Sequence, residues 1–257
     1  MGNGTLIEWT QDTWNPVTGC SKISQGCANC YAERMAKRLQ AMNNRRYHNG
    51  FDVTLHNDLI TRPMMRKRPR MIFVNSMSDL FHEQIPFEFI TQVFNTMNLA
   101  YWHTFQILTK RSERLLEFAP KLNWSKNIWI GVTVENQICA KRIADLRQVP
   151  AAIRFLSCEP LIESICLDLR DIHWVIVGGE SGPHARPMDQ NWVRSIREQC
   201  QMADVPFFLK QLGGRINKRG HDEALLDGHL IKEWPIRANS TNDFAPTENE
   251  LCSTMIS

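Results

Sequence analysis

The sequence predicts an α/β fold: a partial (β/α) barrel of six or seven mostly parallel strands. Three observations carry this reading. Short apolar runs rich in β-branched and aromatic residues recur along the chain, and segments of helical periodicity separate most of them. The runs are also apolar almost continuously, as strands buried on both faces are.

In chain order, a first short strand is expected in LIEWT (6–10), followed by a cysteine-bearing loop and a helical pattern that begins just after Cys30. The main runs are MIFVNS (71–76), HTFQILT (103–109), NIWIGVTV (127–134), AIRFLSC (152–158), HWVIVGG (173–179) and PFFLKQL (206–212). Their starts lie 32, 24, 25, 21 and 33 residues apart, the spacing of βαβ units. Helical periodicity fills 86–101, 111–119, 135–148 and 191–203, while 159–172 fits neither pattern. LLDGHLIKEWP (225–235) reads as a hairpin turning at Asp227–Gly228. Residues 1–236 are therefore expected to form one domain. The segment 237–257, rich in Ser, Thr and Asn, is expected to be a disordered or loosely attached tail. A doubly wound sheet has the same spacing of elements, and strand order is not written in it.

Composition excludes several classes. An apolar content of 43% is ordinary for a globular protein, and no apolar run reaches membrane-spanning length. MGNGTLIEWTQ lacks the basic and apolar regions of a signal peptide. A cytoplasmic location with no membrane partner follows as the expectation. Eight cysteines in such a chain favour reduced thiols or a metal site over disulfides. A formal charge of +3 does not by itself argue for a nucleic-acid partner.

The most informative feature is TWNPVTGCSKISQGCANCYAERMAKRL, where Cys20, Cys27 and Cys30 follow the spacing C-x6-C-x2-C. Three thiolates on one loop can hold three corners of an iron–sulfur cluster and leave one iron open. A structural zinc ion needs a fourth ligand, for which His48 or His56 would serve. Cys139, Cys158, Cys166, Cys200 and Cys252 read as buried or incidental thiols.

The predicted strand ends are equally loaded. In parallel α/β folds ligands bind at the carboxyl ends of the strands. Here those ends carry Asn75, Ser78 and Asp79; Thr109, Lys110 and Arg111; Thr133 and Glu135; Ser157 and Glu159; Gly178, Gly179 and Glu180; and Lys210 and Gln211. Each alone could be a cap or turn residue. As a set at one end of six strands they describe a lined pocket.

WTxxTWNPVTGC, CxNCYAER, VNSMSDLFH, LTKR, VGGESGPxARPM and VPFFLKQ together resemble a phage and bacterial protein family with a three-cysteine motif, usually described as similar to radical S-adenosylmethionine (SAM) enzymes. The resemblance runs from about Trp9 to Pro235. It implies a radical SAM-like partial barrel, a [4Fe-4S] cluster on Cys20, Cys27 and Cys30, and SAM on the open iron. In such enzymes the reduced cluster cleaves SAM to a 5′-deoxyadenosyl radical, and an external electron donor supplies the electron.

On that reading Gly178 and Gly179 admit close approach of a ligand, and Glu180 holds a ribose hydroxyl or the SAM ammonium. Thr133, Glu135 and Ser157 are further cofactor contacts, and Asp79, Lys110 and Lys210 are the catalytic candidates. The chain departs from the usual C-x3-C-x2-C spacing. Asn29 also stands where an aromatic residue usually packs the adenine, with Tyr31 as its substitute.

For the substrate, RPMMRKRPR (62–70) and the basic turn NKRGH (217–221), with Trp9, Trp14 and Tyr31 near the cysteine loop, suit a nucleic acid. Solvated loops and core tryptophans account for the same residues. Trp14, Asn15 and Arg186 are expected at the rim of the pocket. The alternatives are a non-catalytic nucleic-acid-binding protein whose loop is stapled by a metal or cluster, and a radical SAM enzyme acting on a peptide or protein; a partner protein is a further expectation.

Overall fold

A computed structural model describes residues 5, 7–214 and 224–235; the tail from 237, with Cys252, and the turn at 217–221 lie outside the described residues. Seven strands form one sheet: β1 (Asp12–Trp14), β2 (Met71–Val74), β3 (Thr104–Thr109), β4 (Ile128–Thr133), β5 (Ile153–Cys158), β6 (Trp174–Gly178) and β7 (Phe207–Gln211). Every neighbouring pair is parallel, and spatial order equals chain order. A doubly wound sheet must reverse its order at a switch point. Here each unit is laid beside the last in one sense, so the sheet curls into an open (β/α) half-barrel.

Helices α1 (Tyr31–Ala41), α2 (Phe87–Leu99), α3 (Ser112–Phe118), α4 (Arg142–Arg147) and α5 (Gln190–Met202) connect the strands. The pleat sends alternate side chains to opposite faces. Ile72, Val74, Ile107, Ile130, Val175 and Leu209 pack outward in one core with Ile90, Val93, Leu115, Ile143 and Val193 of α2–α5. The opposite face carries a separate cluster of Trp9, Phe73, Trp129, Phe155, Trp174, Ile176 and Phe208.

These aromatics form a floor inside the half-barrel. Along the inward face of β4 the series runs Trp129, Gly131, Thr133, and along β5 it runs Phe155, Ser157. The interior thus changes from aromatic at the amino ends to polar at the carboxyl ends. Gly131 is required by this layering, because a Cβ there would stand 2.5 Å from the Phe155 ring.

Two expectations need correction. Glu8 and Trp9 form a turn, not a strand, and the first strand is Asp12–Trp14, inside the expected loop. Its apolar signal is weak because it opens on Asp12, a carboxylate 1% exposed that is ion-paired with Arg66. Trp9 and Trp14 are core residues, so neither stacks on a ligand at the rim. Trp14 is 1% exposed and its Nε1 donates to Leu59 O at 2.8 Å.

The hairpin of Leu225–Leu226 with His229–Leu230 forms as read. The residues after it run antiparallel along β7, with Leu209 N donating to Ile231 O and Glu233 N to Phe207 O. That covers an edge which would otherwise expose unpaired backbone groups. Trp234 then stacks on Trp174 at 5.0 Å to close the floor. The connection 159–172 holds no regular element. No helix among the described residues is long and apolar enough to cross a membrane.

Candidate functional site

The loop bearing the three cysteines follows β1 and lies across the carboxyl ends of the strands. Its start is pinned after β2: Gly19 N donates to Met77 O at 3.0 Å, and Ser78 Oγ donates to Gly19 O at 2.6 Å. Its end is pinned beyond β6, where Asn29 Nδ2 donates to Glu180 Oε2 and to His184 O, both at 2.9 Å. Arg34, on α1, reaches Ser181 O at 2.9 Å, and the Tyr31 hydroxyl donates to Ser76 O. The cysteine loop and the strand-end residues therefore share one end of the half-barrel.

The three thiols are free and partly exposed, and each has a different neighbourhood. Arg111, just past β3 and buried, points Nη1 at Cys20 Sγ at 3.5 Å and Nη2 at Ser21 Oγ at 2.9 Å. Burial and the Asp79 carboxylate outweigh that cation and push the Cys20 thiol up to about 11. Cys27 goes the other way. Burial acts to raise it, but the Lys110 charge and hydrogen bonds from the Ile23 and Ser24 region hold it below the ordinary thiol value. Cys30 is the N-cap of α1 and packs against the cluster of Ala32, Ala36 and Met77.

Asp79 is a hub. It accepts from Phe81 N (3.0 Å), Thr109 Oγ1 (2.7 Å), Lys110 N (3.0 Å) and Arg111 Nη1 (3.1 Å). With four donors its carboxylate fixes the backbone and guanidinium that face the cysteines. Lys110 Nζ reaches Thr133 Oγ1 at 3.2 Å. Glu135, fully buried, is held by Arg142 at 2.7 Å and by the Ser24 hydroxyl of the cysteine loop. Burial alone would raise its carboxyl, but Lys110 and Arg142 bring it below the usual range.

Ser157 Oγ donates to Glu159 Oε2 at 3.2 Å, and Lys210 Nζ lies 2.9 Å from Glu159 Oε1. Glu180 takes both prongs of Arg186 at 3.0 and 2.7 Å, the Arg186 backbone N–H and Asn29. Burial opposes its ionisation, yet these bonds prevail and set it at about 2.

Gly178 and Gly179 have an internal reason. A Cβ on Gly178 would meet Glu159 Oε1 at 2.8 Å, and one on Gly179 would meet Leu212 O at 2.4 Å. Asn15 Oδ1 accepts from Met77 N at 3.1 Å. Arg186 Nη2 donates to Gln25 O at 3.1 Å, at the rim where the sequence placed it.

All the strand-end candidates thus converge, and they hold one another and the loop. What sequence reading missed is the partnering. Ser24 and Arg142 were not singled out at all, and Asn29 and Arg111, though both named, gave no sign that they would bond Glu180 and Asp79. Of the two histidines offered as a fourth zinc ligand, His56 bonds Thr18 Oγ1 at 2.9 Å and His48 bonds Arg45 O at 2.9 Å. Both line a shallow depression of about 700 Å³ over residues 44–56. Among the described residues no three His, Cys, Asp or Glu side chains close on a single metal position.

Fold and site define a half-barrel whose carboxyl-end mouth is roofed by a three-cysteine loop. The chain belongs to a protein family of unknown function (DUF5131), whose model matches residues 4–235. No curated protein and no solved structure matches it.

Proposed function

We propose that this protein is a radical SAM-type iron–sulfur enzyme that modifies or repairs a nucleic acid, with Cys20, Cys27 and Cys30 as cluster ligands. The observation that carries the reading is the placement of three free, partly exposed thiols over the polar carboxyl ends of a partial (β/α) barrel. The donor set fits a cluster: three soft thiols on one loop, Cys27 held toward thiolate by Lys110 and Cys20 with the Arg111 guanidinium at 3.5 Å, although burial and Asp79 keep its thiol protonated in the metal-free protein. Cluster thiolates each meet a different iron, so they need not converge on one position as ligands of a single zinc ion must. When bound and reduced, the cluster with SAM supplies a carbon radical, and the protein contributes binding, orientation and exclusion of water.

The chain's own residues divide the task. Asp79 fixes Arg111 and the Lys110 backbone; Arg111 steadies Cys20 and Ser21; Lys110 places positive charge by Cys27, Glu135 and Thr133. Glu180 is an anion for an ammonium or ribose group, once Asn29 exchanges its bond for the ligand's. Ser157 and Lys210 meet at Glu159 on the inner wall. A cytoplasmic setting, which keeps thiols reduced, and an external electron donor complete the proposal.

The test is SAM turnover: dithionite-reduced, cluster-loaded protein should release 5′-deoxyadenosine, and Glu180→Ala should weaken SAM binding. A fully loaded cluster that yields none under strong reductant would sink the enzyme reading. The second reading, a non-catalytic protein whose loop is stapled by metal or cluster, is favoured by one observation. Glu135 and Ser157 are fully buried and already partnered, so the mouth is roofed by its own loop.

A further inference from the structure

We infer that the amino-end face of the half-barrel, opposite the cysteine loop, is a docking surface for single-stranded nucleic acid. This deepens the proposed nucleic-acid substrate and rests on that reading, but not on the cluster. The basic segment 62–70 precedes β2, so in a parallel sheet it lies at the far end from the mouth. Arg70 O accepts from Thr104 N, at the first residue of β3, at 2.8 Å. Bases bound there are not at the chemistry; the surface can only hold a long strand that reaches the mouth elsewhere.

Strands β2, β3 and β4 are neighbours, about 4.8 Å apart, so the segments that enter them lie side by side. Those segments, 61–70, 99–103 and 123–127, contain five, no and one Lys or Arg respectively, six in all, and no Asp or Glu. Lys121 lies over the Phe87 ring at the start of α2 and is not part of this face. The segment 163–173, entering β6, has three acids and one Arg. The surplus is therefore local to one half of this face, which the whole chain's charge of +3 conceals.

The three segments are bonded into one surface. Trp102 Nε1 donates to Arg66 O at 2.7 Å, His103 Nε2 bonds Pro63 O at 3.1 Å, and Asn127 Nδ2 donates to His103 O at 3.0 Å. Arg66 is taken by Asp12, but among the described residues no carboxylate pairs with Lys67, Arg68, Arg70 or Lys126.

Among these cations stand exposed apolar groups: Tyr101 at 74%, set edge-on to Trp102 at 5.4 Å, and Met65 at 79%. A purely solvated face needs cations only. Phosphate-tracking cations interleaved with an exposed aromatic are the parts of a single-strand platform, on which bases stack. A duplex presents no free base face to Tyr101.

Fluorescence anisotropy of the full chain with labelled single-stranded DNA and RNA oligonucleotides, a duplex of the same sequence, and phosphatidylserine vesicles tests this. Single strands should bind, with log affinity falling against log salt at a slope of roughly −3 for four phosphate contacts. Lys67→Glu combined with Arg68→Glu should weaken binding at least tenfold, and Tyr101→Ala by about tenfold. Cys166→Ser, outside both the mouth and the basic half of this face, should bind as the parent does. Equal affinity for duplex with no effect of Tyr101→Ala, or capture by vesicles alone, would overturn the proposal. Failure to bind by protein that loads iron would overturn it and leave the cluster standing; binding by protein that takes up no iron would do the reverse.

Discussion

Cys20 and Cys27 sit seven residues apart on one loop and are pushed in opposite directions. The Asp79 carboxylate adds to burial at Cys20, whereas Lys110 and local hydrogen bonds overcome burial at Cys27. Thiolate is the reactive form, so metal-free protein should be alkylated by iodoacetamide at Cys27 well before Cys20 near pH 8. Removing the charge with Lys110→Met should narrow the gap. Peptide mass spectrometry over a time course reads this, and Cys20 reacting first would contradict the assigned electrostatics. The residue types of the site were legible in the sequence: the cysteines, Asp79, Lys110, Glu135, Glu180. Their partners were not, because Ser24 to Glu135 and Asn29 to Glu180 span 111 and 151 positions. Only the folded loop brings such pairs together.

At the scale of elements, strands buried on both faces announce themselves by continuous apolar runs, and six of the seven were read to within two residues at either end. β1 escaped because it is three residues long and its Asp12 is neutralised by a distant arginine. That the cysteine loop opens onto the strand-end face follows from its place after the first strand, but its side-chain anchors, Ser24 to Glu135 and Asn29 to Glu180 among them, were not legible. Layering inside the half-barrel was also hidden until register was known: Gly131 looks like a flaw in β4 until Phe155 is seen to fill its place. Gly131→Ala should therefore cost about 1–3 kcal/mol, the range for overpacking a filled interior. A urea midpoint unchanged by the substitution would show that the Phe155 ring moves freely.

For the whole molecule, fold class could be read from the sequence but strand order could not, and it is the sequential order that makes a half-barrel with one mouth. That order also sends residues 62–70, which precede a strand, to the end opposite the cysteine loop and its flanking aromatics, with which the sequence reading had combined them. The fold responds to acid in a defined sense. Burial holds buried His56 and His103 below the ordinary value of 6.5, so the folded state keeps them neutral. As pH falls below 6.5 the unfolded chain binds more protons, and stability must drop. Glu180, depressed to about 2, adds a second loss as pH falls from about 4.5 toward 2. The thermal midpoint at constant ionic strength should be flat between about pH 7 and 8 and decline from there into both acid windows. A midpoint that rises between pH 7 and 5.5 would refute the histidine assignment.

The central claim is that three thiols at the mouth hold a cluster with one open iron, and iron and sulfide analysis of anaerobically reconstituted protein tests it most directly. About four irons and four sulfides per chain with brown absorbance are expected, as a [4Fe-4S] cluster requires. Replacement of Cys20, Cys27 or Cys30 by Ala should remove both, and replacement of Cys139 or Cys166 should remove neither. Stoichiometric zinc without iron uptake, or iron that survives loss of any of the three loop cysteines, would contradict the account.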